Sequence, residues 1–80
     1  MKLKSKTYYK VYDNNGDGYD IVYTGTKWIY RIAEKYRITV LHTFNKKRKW
    51  GTIREWQSII EYNGFKIKEL SKEDLFLELL

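Results

Sequence analysis

The chain has 80 residues, which sets an expectation of a single domain over residues 1–80 with a thin stability margin. A content of 42% hydrophobic and 18% aromatic residues excludes a disordered composition, and the absence of cysteine excludes disulfides and thiolate metal sites. The net charge of +6 is uneven: residues 1–54 hold thirteen Lys/Arg against four Asp/Glu, and residues 55–80 hold three against six. A basic body favours a polyanionic partner, whereas an acidic and apolar end favours protein contact. Any one charge run is equally well explained as a solvated face. No apolar run of about 18 residues is available to span a membrane. "MKLKSK" at residues 1–6 is followed by no apolar segment, so we expect no secretory signal and a cytoplasmic protein.

In chain order, "TYYKVY" at residues 7–12 and "YDIVYT" at residues 19–24 alternate and are rich in Tyr, Val and Ile, which predicts two strands joined as a hairpin. The connector lies in "DNNGDGYD", residues 13–20. Counted from Asp13, Asn15, Asp17 and Gly18 match half of a calcium loop. The twelfth place is Thr24, however, which offers no bidentate carboxylate, and the flanks read as strands rather than helices. Asn, Asp and Gly also build hairpin turns without any metal, and that reading is preferred.

Residues 24–39, "TGTKWIYRIAEKYRIT", place Trp28, Ile29, Ile32, Ala33 and Tyr36 at spacings of three and four, which predicts a helix capped by Thr24 or Thr26. Thr39 caps a second predicted helix over "VLHTFNKKRK", residues 40–49, after Ile38. Gly51 breaks the pattern. A third helix follows from Thr52, with Glu55 completing a capping box and Asn63-Gly64 ending it. "FKIKEL", residues 65–70, alternates as a strand, and Ser71 with Asp74 starts a short terminal helix. The expected fold is therefore α+β, in the order β-β-α-α-α-β-α: an N-terminal hairpin, a helix-turn-helix, a third helix, a C-terminal strand joining the sheet, and a terminal helix.

Catalytic machinery is hard to assemble. His42 is the single histidine, and no cysteine can join it in a zinc site. Ser5, Ser58 and Ser71 sit in no strand-turn-helix elbow, and the glycines fit no phosphate loop. We expect no enzyme, no cofactor and no metal.

The run "VYTGTKWIYRIAEKYRIT" resembles small phage-encoded proteins of low-GC Gram-positive hosts, in which a short hairpin leads into a helix-turn-helix. It is also similar to the helix-turn-helix repeats of homing nucleases. The resemblance covers roughly residues 8–45. It implies a bacterial host cell and a regulatory protein that binds nucleic acid, duplex DNA first, by inserting a second helix into the major groove. On that implication His42, Thr43, Asn45 and Lys46 would meet base edges, and Lys47, Arg48 and Lys49 would meet phosphates, as would Lys27, Arg31 and Lys35 of the first helix. Lysines at a helix end also simply complement its dipole.

Three other expectations stand beside this one. Tyr8, Tyr12, Tyr19 and Tyr62 suit base stacking on an exposed surface, although a two-stranded hairpin with one added strand is a small platform. Leu75, Phe76, Leu79 and Leu80 cluster at the end of the chain, either closing the core or offering a surface to a homodimer or host protein. In the alternative function, a phage-encoded inhibitor of a host enzyme or defence complex, for example an anti-CRISPR, the helix-turn-helix is only scaffold.

Overall fold

A computed structural model describes residues 2–16, 19–34 and 50–80. The expected fold is overturned, because the described residues form a five-stranded antiparallel sheet and two helices. The elements are β1 (Thr7–Tyr12), β2 (Tyr19–Thr24), β3 (Trp28–Glu34), β4 (Trp50–Thr52), α1 (Ile53–Asn63), β5 (Lys66–Leu70) and α2 (Lys72–Glu78). The strands lie in the order β4-β3-β2-β1-β5. Among the described residues no helix is long and apolar enough to cross a membrane.

The decisive correction concerns Trp28–Glu34, expected as the first helix of a helix-turn-helix and found as strand β3. Its apolar residues satisfy both periods. Trp28, Tyr30 and Ile32 are exposed while Ile29 and Arg31 between them are buried, which is the period of two that a strand requires. The helical reading sets Arg31 against phosphates. In the fold its guanidinium donates to Asp20 of β2 at 2.6 Å, with the two side chains 5% and 0% exposed. Aromatic and β-branched residues also lose χ1 freedom in a helix, so local propensity does not oppose the extended form. Thr24 and Thr26 are correspondingly not helix caps. Thr24 ends β2, Thr26 lies in the tight β2–β3 turn, and Gly25 N–H closes that turn onto the Trp28 carbonyl at 2.7 Å. The expected second helix, residues 40–49, lies outside the described residues.

Gly51, read as a break, is the buried centre of β4, opposite Ile29. The chain then turns directly into α1. Thr52 caps it, its Oγ1 accepting from Glu55 N–H at 3.0 Å and donating to the Glu55 carboxylate at 3.0 Å. Gly64, at φ 67°, ends the helix in the left-handed conformation that glycine adopts without strain. Ser71 caps α2 by accepting from Asp74 N–H.

Helix α1 covers one face of the sheet. Trp56 and Ile60 pack onto Tyr9, Val11, Val22 and Ile29, with Ile53, Ile59 and Ile67 at the margin. Helix α2 follows β5, and Glu78 reaches Lys10 of β1, whose cross-strand partners Ile21 and Lys68 stand on the opposite face.

Candidate nucleic-acid interface

Register decides what stands on the face away from α1. Directly opposed residues of antiparallel strands project to the same side. Tyr8 of β1 opposes Tyr23 of β2, and Tyr23 opposes Tyr30 of β3. Three tyrosines therefore form one row across three adjacent strands. The Tyr8 and Tyr23 rings lie 4.7 Å apart, centroid to centroid, at an interplanar angle of 43°. Tyr30 is 44% exposed, and Trp28, two residues along β3 on the same side, is 38% exposed. Large rings normally pack away from water, so a row that presents two of them at the surface is the most distinctive apolar feature of the sheet.

Nearer the other end of the strands a second row opposes Tyr12 to Tyr19 and to Lys66 of β5, with the two rings 6.0 Å apart. Between the rows sits Lys10. Its ammonium lies 4.3 Å from the Tyr19 centroid, 5.3 Å from the Tyr12 centroid, and 2.7 Å from Glu78 Oε1. Desolvation pushes its pKa down, and the hydrogen bonds to Glu78 and Tyr12 outweigh that, leaving the group raised above its ordinary value of 10.5. Lys66 and Lys68 are exposed on the same side of edge strand β5. Lysines there also blunt the unpaired edge. Part of this face is covered, since Ile21 opposite Lys10 and Leu70 opposite Tyr8 are buried. What it leaves exposed is Trp28 and Tyr30 of β3 for π-stacking and Lys66 and Lys68 of β5 for phosphate.

The residues expected from sequence are distributed unevenly. Lys27 is exposed in the β2–β3 turn. Arg31 is enclosed beside Asp20 beneath α1, so it is a structural cation rather than a phosphate contact. Lys35, His42, Thr43, Asn45, Lys46, Lys47, Arg48 and Lys49 lie outside the described residues. Tyr8, Tyr12 and Tyr19 share the aromatic face, whereas Tyr62, 91% exposed, belongs to α1 on the other side. Tyr23, Tyr30 and Trp28 were missed as site residues. The signal for two of them is the alternation in β3, whose apolar spacing satisfies a helical period as well.

At the chain end Leu75 is half-buried, while Phe76, Leu77, Leu79 and Leu80 are 67%, 65%, 48% and 79% exposed. Phe76, Leu79 and Leu80 do not close the core. In the 13–20 connector, Asp13 Oδ1 accepts from Asn15 N–H at 3.0 Å and Gly16 N–H closes onto the Asp13 carbonyl, with Gly16 at φ 79°. Asp13 thus organises a turn, and Asp17 and Gly18 lie outside the described residues. Among the described residues no three His, Cys, Asp or Glu side chains converge on a possible metal position.

No family model matches the chain, and no curated protein or solved structure does either.

Proposed function

We propose that the protein binds single-stranded nucleic acid on the sheet face opposite α1. The observation that carries this reading is the Tyr8–Tyr23–Tyr30 row with Trp28 beside it, a stacking surface spanning three strands. Unpaired bases present π-faces of this size, and base–aromatic stacking tolerates any sequence. The net charge of +6 supplies attraction to phosphates. A sheet of five strands also removes the objection that the platform is too small. The mode differs from helix insertion into a duplex groove, which the strand at residues 28–34 does not support.

The test is fluorescence anisotropy with an oligothymidylate and with a duplex of equal length at matched salt. The single strand should bind more tightly, and Tyr30→Ala should weaken it by roughly tenfold, from a stacking contribution of about 1–3 kcal/mol per base. Preference for the duplex, or indifference to Tyr30→Ala, would sink the proposal.

A second reading rests on α2, whose exposed Phe76, Leu77, Leu79 and Leu80 suit contact with a protein, either a second copy or a host target to be inhibited. Phe76→Asp with Leu79→Asp should then abolish self-association in sedimentation, or capture of the target. An unchanged sedimentation profile and unchanged capture would remove this reading.

A further inference from the structure

At the end of the sheet where the Tyr8–Tyr23–Tyr30 row lies, a cleft of about 510 Å³ opens between the N-terminal segment, the β2–β3 turn and the start of α1. Among the described residues three cations line it, Lys2, Lys27 and Arg54, from three different parts of the chain, and no carboxylate does. Ser5, Thr26 and Ser58 add hydroxyls. Like charges gathered without an acid are unfavourable unless an anion joins them.

The walls are held in place. Leu3 N–H donates to Gln57 Oε1 at 2.7 Å, and Lys4 N–H donates to the Tyr9 hydroxyl at 2.8 Å. The Thr24 hydroxyl donates to the Lys4 carbonyl, and Lys6 N–H to the Gly25 carbonyl. Four hydrogen bonds thus pin a segment that has no regular structure of its own. The end of α1 is already occupied, since Ile53 N–H donates to the Lys27 carbonyl and Glu55 N–H to Thr52 Oγ1. An anion in this cleft would therefore be held by side chains rather than by the helix terminus.

The β2–β3 turn stands between the cleft, which α1 lines, and the stacking row on the opposite face. A Cβ at Gly25 would meet Tyr30 Cε2 at 3.7 Å, so the Tyr30 ring lies against the turn that carries Thr26 and Lys27. We infer that this cleft is a phosphate site, and that it takes an internucleotide phosphate of the strand whose bases stack on Tyr30 and its neighbours. The second half of that statement rests on the function proposed above; the first half does not. Its recognition chemistry is a tetrahedral oxyanion held by two ammonium groups and a guanidinium, each forming charge-assisted hydrogen bonds.

The experiment follows backbone amide shifts of the intact chain by NMR. One arm titrates inorganic phosphate against chloride at equal ionic strength, and the other measures oligothymidylate binding. Phosphate should give saturable shifts confined to residues 2–5, 26–27 and 53–58, and these should vanish in Lys27→Gln with Arg54→Gln. Both side chains are exposed, so the variant should keep the parent's dispersed spectrum. Its oligothymidylate affinity should fall by about tenfold for each lost cation. The salt slope should fall by about 0.7 for the lost phosphate contact. Shifts that are non-saturable, or that persist in the variant, overturn the phosphate site. Saturable phosphate shifts together with oligothymidylate affinity unchanged in the double variant overturn the internucleotide assignment and leave a site for free phosphate. Saturable shifts with no oligothymidylate binding at all leave the phosphate site standing while the proposed function falls.

Discussion

On the α1 side of the sheet, Tyr9, Val11, Val22 and Ile29 are fully buried beneath Trp56, and the one buried cation among the described residues, Arg31, is matched by Asp20. On the other side, Tyr30 and Trp28 stay partly in water, and the matched pair, Lys10 with Glu78, keeps side-chain exposures of 14% and 24%. The same alternation along the same strands writes both faces. What separates them is the extent of closure: a helix seals one, and the other, although Ile21 and Leu70 on it are buried, leaves Trp28, Tyr30, Lys66 and Lys68 exposed. The comparison teaches that aromatic content alone says little, because Tyr9 is core and its sequence neighbour Tyr8 belongs to the stacking row.

The largest effect expected from breaking the contrast is on the sealed side. Trp56→Ala should destabilise the fold by about 3–5 kcal/mol, and Arg31→Met should cost a similar amount because it strands the Asp20 charge. At roughly 4–8 °C per kcal/mol, either would lower the thermal midpoint by more than about 12 °C in calorimetry. Replacing both members, Arg31→Met with Asp20→Leu, should recover much of the second loss. A drop of only a degree or two in Arg31→Met would show that the two faces are not sealed differently.

The open face should behave in the opposite way. Trp28→Ala and Tyr30→Ala should each cost less stability than Trp56→Ala, since these two residues are 38% and 44% exposed whereas Trp56 is fully buried. Their effect should appear in oligothymidylate binding instead. If either substitution costs as much stability as Trp56→Ala, this face is core and the proposed function loses its support.

The smallest effect concerns Lys10. Its folded pKa is raised above 10.5, so the pairing with Glu78 contributes fully at neutral pH and is lost as pH rises through the folded value. Glu78→Gln should lower stability slightly at pH 8, by about 1 kcal/mol or less, and the midpoint by a few degrees at most. The difference between parent and variant should shrink above pH 10.5. Following both midpoints from pH 8 to pH 11.5 checks the direction, and a difference that widens with pH would contradict it.

Determined by the sequence alone were the features whose partners lie a few residues away. Thr52 and Gly64 at the ends of α1, Ser71 at the start of α2, and the alternation in β1 and β2 are all short-range, and all are found where the residues predict them. Trp28–Glu34 is the counter-case. Its apolar spacing suits a helix and a strand equally, and the choice turns on Asp20, eleven residues before Arg31, and on β4, which begins at Trp50. Only the tertiary structure supplies those neighbours. A strand's hydrogen bonds are completed by other strands, whereas a helix completes its own within the segment. For the same reason the Tyr8–Tyr23–Tyr30 row was illegible: each residue is visible in the chain, but register alone places them side by side.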